Sequence, residues 1–171
     1  MTTATAVELD RQGSFEEAAL EHERALMAGD RSLHTLVNLA LLYWQATDAG
    51  IAASAHLPAE FMAKAATRYP VLLEEAKVRF PASTLARFWA AYIAWTELGD
   101  PISAAMCRDL MREDGSELTP ALYVFIESRG RQAEPEAMAL LRASKAAGTA
   151  GARYVASLLE AAVRDPRSKD T

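Results

Sequence analysis

Hydrophobic and polar positions follow a helical period along most of the chain. Apolar residues recur three and four positions apart over stretches of about 10 to 20 residues, and Gly, Pro, Ser or Asp turns separate these stretches. No stretch keeps the every-second-residue alternation of a half-buried strand over a useful length. The pattern predicts an all-α protein, with helices at residues 15–27, 32–46, 101–113, 120–129, 135–147 and 150–163.

The junctions between these segments carry residues that end one helix and begin the next. Gly13 is suited to the left-handed conformation that follows a helix, and Ser14 with Glu17 has the sequence of a capping box. Residues 99–101 (Gly-Asp-Pro) repeat this arrangement, with a glycine to end a helix, an aspartate to cap the next one and a proline for its first turn. We therefore expect short turns between successive antiparallel helices.

A degenerate internal repeat with a period of about 34 residues runs through part of the chain. The positions one period apart are Ala6 with Ala40, Leu9 with Tyr43, and the turn Gly13-Ser14 with Thr47-Asp48. A further set in the same register is Phe88, Ala91, Trp95, Gly99-Asp100 and Ala104. In these residues, and in the small Ala18 and Ala25, the chain resembles the tetratricopeptide-repeat family. The resemblance implies antiparallel helix hairpins stacked as a short, tetratricopeptide-like α-solenoid.

The resemblance covers about two-thirds of the chain and is interrupted by an insertion. Asp48 and Asp100 are 52 residues apart, which is 18 more than one repeat, so the extra residues fall within 49–81. Leu57-Pro58 is a plausible helix start there, and Pro70 is expected to break or kink any helix that contains it. We predict one helical domain over residues 1–164 with an irregular insertion, followed by a polar, frayed tail at 165–171.

Composition and charge narrow the class of function. Alanine dominates the apolar fraction of 51%, which favours helices, and the net charge of −5 with a pI of about 5.3 disfavours binding to nucleic acid or anionic membranes. Cys107 is the single cysteine, so no internal disulfide can form. The sequence shows neither a secretory signal nor an apolar run long enough to span a bilayer. We expect a cytoplasmic protein, and the oligomeric state is left open.

Residues with catalytic or metal-binding chemistry do not form a recognised motif. His22-Glu23 could begin a helical zinc site, but Leu26 occupies the position of the second histidine. His34 and His56 lie in different elements, without cysteine pairs or carboxylate clusters at ligand spacing. We therefore predict no metal, no cofactor and no catalytic residue.

Two further features have ordinary structural explanations. Cys107 stands alone on a helix, where a cysteine usually serves as a small buried apolar side chain. Residues 148–151 (Gly-Thr-Ala-Gly) lack both the preceding strand and the lysine of a phosphate-binding loop. Nucleotide binding is rejected on this basis.

The resemblance also indicates where a partner would bind. In the family, the first helix of each pair lines a concave groove, and the family register places Tyr43, Phe88 and Trp95 on the packing side instead. The groove residues that this register selects as partner-binding candidates are Asp10, Arg11, His34, Trp44, Gln45, Trp89 and Glu97. Trp44 and Trp89 are the foremost candidates, because tryptophan is enriched at binding hot spots. The alternative is that the insertion covers both indoles.

Three functions remain open from the sequence. The first is a non-enzymatic scaffold that binds a peptide or domain of another protein. A narrower version is a dedicated immunity protein or chaperone that neutralises one bacterial toxin or effector. The third is an enzyme or small-ligand protein with a cavity that uses Cys107, His56 or a carboxylate. A closed apolar pocket with converging polar groups would favour this third function, and an open, solvent-lined groove would favour partner binding.

Overall fold

The structure, a computed structural model, describes residues 3–164, and this part of the chain is all-helical. Its helices are α1 (Thr3–Arg11), α2 (Phe15–Met27), α3 (Leu33–Ala46), α4 (Ala49–Ser54), α5 (Ala59–Arg79), α6 (Thr84–Leu98), α7 (Ala104–Glu113), α8 (Ala121–Glu127), α9 (Glu134–Ala147) and α10 (Ala150–Arg164). No helix within 3–164 has the length and apolar character needed to cross a bilayer. The tail predicted at 165–171 lies outside the described residues.

The chain divides into two compact units. Of the described residues, the first contains 3–81 and Gly148–Gly151, and the second contains Ala82–Ala147 and 152–164. The single domain predicted over residues 1–164 stays a prediction.

The first unit is built around α3. Helices α2, α4 and α5 contact α3, and α1 packs against α2. From Thr35 to Ala46 every residue of α3 except Asn38 is buried, which agrees with a sequence that is apolar on all sides of the helix. Ser32 caps this helix, because its hydroxyl accepts a hydrogen bond from the backbone N–H of Thr35 at 3.4 Å.

The predicted insertion supplies a main neighbour of α3. Its longest element, α5, begins directly after Pro58, as the sequence indicates, and packs along α3. We expected Pro70 to break or kink a helix in this region, and α5 continues through it without a break. Pro70 and Ala66 are both exposed, so the carbonyl that loses its helical partner lies on the side where water can bond to it.

The glycine turns form as predicted, but the proposed capping box does not. Gly13 and Gly99 adopt positive φ angles of 78° and 73°, the left-handed conformation that follows a helix end. Ser14 precedes α2 but makes no side-chain capping hydrogen bond, so the box with Glu17 is wrong. The backbone N–H of Ala18 instead bonds to the Ser14 carbonyl as the ordinary first bond of the helix.

The start of α7 also differs from the prediction. Asp100 and Pro101 were expected to cap the helix and fill its first turn, but α7 begins at Ala104. Ser103 caps it, with its hydroxyl accepting from the backbone N–H of Met106 at 3.1 Å. A local side-chain acceptor three residues later therefore decides where this helix begins.

The second unit packs α6, α7, α8 and α9 in chain order, each against the next. The hydroxyls of Tyr92 on α6 and Tyr154 on α10 are 3.0 Å apart, which joins these two helices. An ion pair between Lys145 and Glu160, at 2.5 Å, joins α9 to α10. Sequential neighbours thus supply most of the packing within this unit.

Candidate functional site

Asp10 and Arg11, two predicted groove residues, have different environments in the first unit. Asp10 is buried at 1% exposure, and its two carboxylate oxygens accept from the backbone N–H of Ala150 at 2.9 and 3.0 Å. Arg11 is exposed and lies 3.6 Å from Glu8 in an ion pair. Because its carboxylate caps α10 from a buried position, Asp10 has a structural role and is not open to a partner.

The candidates on α3 are mostly buried. His34 is exposed in the first turn, whereas Trp44 is 6% and Gln45 is 7% exposed. The expectation that Trp44 presents its indole to solvent is therefore wrong. The physical reason is that α3 is buried on nearly all sides after its first turn. It therefore lacks the exposed, groove-lining face that the family register assumes.

The exposure of the two tryptophans on α6 is the reverse of the prediction. Trp89, expected on the open side, is 2% exposed, and its ring centroid lies 5.4 Å from that of Phe88 and 5.7 Å from that of Tyr92. Trp95, expected on the packing side, is 38% exposed. Glu97 is exposed, as predicted. The ring centroid of Tyr154 on α10 lies 6.4 Å from that of Trp89, so α10 packs on the face of α6 that the family register leaves open.

A half-buried polar cluster lies beside α3 in the first unit. The Arg68 guanidinium donates to both carboxylate oxygens of Glu23 at 2.9 Å, and the Tyr43 hydroxyl donates to Glu23 at 3.1 Å. Burial opposes ionisation of Glu23, but the bonds and charge of Arg68, with the Tyr43 bond, outweigh it and hold the Glu23 pKa below its usual value. These groups satisfy one another, so the cluster is structural.

The cysteine and two of the histidines have different environments. Cys107 is fully buried on α7, and burial raises the pKa of its thiol to about 12. His22 is also fully buried, and neither ring nitrogen has a hydrogen-bond partner. His56 is exposed, with a positive φ of 53° in the turn before α5. A thiol with so high a pKa is not a thiolate near neutral pH.

An open cleft in the second unit brings polar groups together. It has a volume of about 450 Å³ and is formed by α7, the loop after it, α8, and the start of α9 with the loop before it. We call it the α7–α9 cleft. Its lining residues are Arg108, Met111, Arg112, Gly115, Leu118, Val124, Gln132, Ala133 and Glu136.

The apolar residues of the cleft are more buried than its polar residues. Met111 and Leu118 are half-buried and Val124 is buried, so these three form an apolar floor. The side chains that carry charge or an amide are exposed around it, namely Arg108, Arg112, Gln132 and Glu136. The arrangement can hold an apolar group at its centre and hydrogen-bond to a polar group at its rim.

The two arginines of the cleft are held differently. Arg108 donates to the side-chain oxygen of Gln132 at 2.7 Å, which links α7 to the loop before α9. Arg112 forms an ion pair with Asp109 at 2.6 Å, three residues earlier on the same helix. The cationic edge of the cleft therefore comes from α7.

The loop before α9 is fixed by hydrogen bonds in an unusual backbone conformation. Arg129 and Ala133 have positive φ angles of 53° and 56°, which residues other than glycine rarely adopt. The N–H of Arg129 bonds to the Ile126 carbonyl at 3.0 Å, and the N–H of Gln132 bonds to the Ser128 hydroxyl at 3.0 Å. Strained positions of this kind persist where surrounding bonds determine them, often at binding sites. The loop thus holds Gln132 and Ala133 at the cleft.

Sequence reasoning missed the cleft, and only one weak signal pointed to it. Arg108 and Arg112 stand four positions apart on a helix that is apolar on its other side, so they share a face. Gln132, Ala133 and Glu136 follow α8 in the sequence, so only the folded structure brings them to the same cleft as the two arginines. Among residues 3–164, no group of three or more His, Cys, Asp or Glu side chains is placed to hold a metal ion.

The chain was compared with known families, curated proteins and solved structures. No family model, no curated protein and no solved structure matches it.

Proposed function

We propose that this chain is a non-enzymatic scaffold that binds a partner protein, with the α7–α9 cleft as a contact site. One observation carries the proposal: exposed polar side chains surround an apolar floor in an open cleft. Protein-binding surfaces combine an apolar centre with a polar, solvent-accessible rim in the same way. A closed apolar pocket around reactive groups would instead have favoured an enzyme.

The tetratricopeptide-like pairing of helices forms part of this proposal. The contacts of α1 with α2 and of α6 with α7 support it, because the residue register joins these helices into pairs. Complete burial of the small Ala18 supports it as well, since close packing of a pair requires a small residue there. A scaffold of helix pairs does not itself specify a partner, so the cleft carries the functional argument.

A single substitution that fills the cleft tests the proposal. Gly115 lines the cleft, and apart from its two chain neighbours no atom lies within 4 Å of a Cβ added to it, so a side chain can begin there without a clash. Gly115→Trp places an indole in this open space. Ala161→Trp is the matched control, because Ala161 is exposed on α10, which contributes no residue to the cleft.

The measurement begins with affinity capture and ends with purified proteins. Proteins retained by the wild type and by each variant are identified by mass spectrometry, and the affinity of a purified candidate is then measured by calorimetry. We expect a partner that binds the wild type and Ala161→Trp equally and Gly115→Trp at least about tenfold more weakly, a loss of ~1.4 kcal/mol. A partner that binds all three proteins equally would contradict the proposal. A tight one-to-one complex would also support the immunity-protein or chaperone hypothesis.

A further inference from the structure

We propose that the α7–α9 cleft recognises an acidic segment of its partner, in which a carboxylate side chain stands next to an apolar one. The inference rests on the proposed function, because it assigns the chemistry of the partner at the same site. The carboxylate binds to the arginines of α7, and the apolar side chain enters the floor.

Arg108 provides a cationic group with unused hydrogen-bonding capacity. It donates to the neutral amide oxygen of Gln132, and no carboxylate of residues 3–164 lies within ion-pair distance of it. A guanidinium has five N–H donors and can bind a carboxylate through two parallel hydrogen bonds. Arg108 is exposed, so an incoming carboxylate can reach these donors without unfolding the helix.

Arg112 adds a second guanidinium on the same side of α7. Its ion pair with Asp109 is local, and the two side chains are 75% and 59% exposed. Such exposed pairs contribute little to stability, so Arg112 can exchange Asp109 for a ligand carboxylate at low cost. Positions four apart share a helix face, and both arginines line the cleft. Two guanidinium groups can therefore converge on one acidic group.

The apolar floor of the cleft selects for a second feature of the ligand, an apolar side chain next to the carboxylate. Met111, Leu118 and Val124 line the same cleft as the arginines and provide its apolar surface. Methionine adapts its shape to different partners, because its side chain is unbranched and flexible. The cleft volume of about 450 Å³ lies within the usual range of ligand sites, roughly 300–1,000 Å³, and suits a short segment more than an isolated ion.

The α9 side of the cleft limits the charge of the ligand. Glu136 lines it, so a second acidic group would meet a like charge there. A nucleic acid would bring repeated phosphates against both Glu136 and Asp109, on a chain whose net charge is −5. These charges therefore favour one carboxylate with an apolar neighbour over a polyanion.

Short peptides with blocked ends test this chemistry directly. The probe is acetyl-Gly-Glu-Leu-Gly-amide, compared with peptides that carry Gln or Lys in place of Glu, or Ser in place of Leu. Each is titrated to millimolar concentration into the ¹⁵N-labelled full chain, and the backbone amide signals of Gly115 and Gln132 report binding. A single-stranded oligodeoxynucleotide and inorganic phosphate are titrated in the same way.

The expected result has two parts. The Glu-Leu peptide shifts the signals of Gly115 and Gln132 and binds at least about fivefold more tightly than each of the other three peptides. This preference for Glu over Gln disappears in Arg108→Gln and is reduced in Arg108→Lys, which keeps the charge but loses the paired donors. Circular dichroism melting confirms that these variants fold, and Ala161→Trp retains the full preference.

Several outcomes would overturn the inference. These are equal binding of the Glu and Gln peptides, no binding of any peptide at millimolar concentration, an unchanged preference in Arg108→Gln, or tighter binding of phosphate or the oligonucleotide. The proposed function fails separately, when Gly115→Trp leaves the captured partner's affinity unchanged. A partner that is sensitive to Gly115→Trp but shows no carboxylate preference would contradict only the inference.

Discussion

The carboxylate of Asp10 accepts hydrogen bonds from the backbone N–H of Ala150 at both oxygens, at distances of 2.9 and 3.0 Å. The first N–H groups of a helix have no partner within the helix, and the N-terminus carries a partial positive charge. A carboxylate at this point satisfies a buried donor and complements that charge. Helix α10 is thus capped by a side chain that lies 140 residues earlier in the sequence.

We predict that Asp10→Ala lowers the free energy of unfolding by ~1–3 kcal/mol, because it leaves the N–H of Ala150 buried without an acceptor. Asp10→Asn keeps one acceptor but loses the charge, so a smaller decrease is expected. Urea denaturation followed by far-UV circular dichroism measures both, with the exposed Asp100→Asn as control. Equal stability of Asp10→Ala and the wild type would show that the cap contributes nothing.

Hydrophobic periodicity predicted the helices well. The segments predicted at 15–27, 32–46, 135–147 and 150–163 correspond to α2 (Phe15–Met27), α3 (Leu33–Ala46), α9 (Glu134–Ala147) and α10 (Ala150–Arg164). These helices have strong apolar patterns bounded by turn residues, and both signals are local in sequence. The start of α7 was predicted three residues early, because Asp100 and Ser103 are competing caps and only packing selects between them.

Periodicity could not predict which face of a helix is covered. It places Trp89 and Trp95 on different sides of α6, but the ring of Tyr154 that contacts Trp89 belongs to α10. The candidate cleft was missed for the same reason, since Arg108 and Glu136 become neighbours of one space only through tertiary packing. The local hydrophobic pattern determines where the helices form, and long-range contacts determine which residues meet in the cleft.

The Trp89 and Trp95 pair gives a second prediction. Trp89→Ala should lower the free energy of unfolding by ~3–5 kcal/mol, because it removes a buried ring from an aromatic cluster. Trp95→Ala should cost less, since 38% of that residue is already exposed. Chemical denaturation of both variants checks this order, and a Trp95→Ala variant that is the less stable of the two would contradict the observed burial.

The bond between Glu23 and Arg68 should contribute measurably to stability. Arg68→Ala leaves a Glu23 side chain that is only 15% exposed without its cation, so we expect a loss of ~1–3 kcal/mol. Tyr43→Phe removes one hydrogen bond to the same carboxylate and should cost ~1 kcal/mol. Because the Glu23 pKa is lowered in the folded protein, the contribution is present at neutral pH and is lost as the pH falls through that lowered pKa.

A double-mutant cycle separates this bond from other effects of the substitutions. Glu23→Gln, Arg68→Ala and the double variant give the coupling energy of the pair. The exposed pair Lys77 and Glu74, with side chains 44% and 64% exposed, serves as the comparison. We expect clear coupling for the first pair and less than ~0.5 kcal/mol for the second. Equal coupling in the two cycles would refute the role assigned to burial.

His22 should make the stability depend on pH. Burial lowers its pKa from 6.5 to about 4, and the charges of Asp30 and Glu23 only partly oppose this. The unfolded chain therefore binds a proton that the folded protein excludes, so stability is full above pH 6.5 and falls as the pH drops towards 4. The expected loss between pH 7 and pH 5 is up to ~2 kcal/mol.

A substitution isolates this effect from the titration of carboxylates. His22→Leu removes two buried nitrogens that have no partner, so it should reduce the pH dependence and leave stability at pH 7 similar or higher. His34→Gln, at an exposed position, is the control substitution. Urea midpoints at pH 7, 6 and 5 provide the comparison. An identical pH dependence for His22→Leu and the wild type would exclude His22 as its source.

Cys107 should be chemically inert while the protein is folded. Its thiol is fully buried and its pKa is raised to about 12, so neither access nor ionisation favours reaction. We expect thiol reagents such as 5,5′-dithiobis(2-nitrobenzoic acid) to react fully in urea and at least about a hundredfold more slowly in native buffer. Rapid native labelling would revive the hypothesis that Cys107 has a chemical role.

The membership of residues 148–151 in the first unit has a consequence for synthesis. Translation delivers α1 to α5 early, but the stretch that binds Asp10 leaves the ribosome only after the whole of the second unit up to Ala147 has emerged. Until then the Asp10 carboxylate lacks the backbone N–H of Ala150, from which it accepts in the folded protein. The unit that is begun first therefore stays incomplete until most of the second has been made, and premature termination before Ala150 would release a chain in which neither unit is whole.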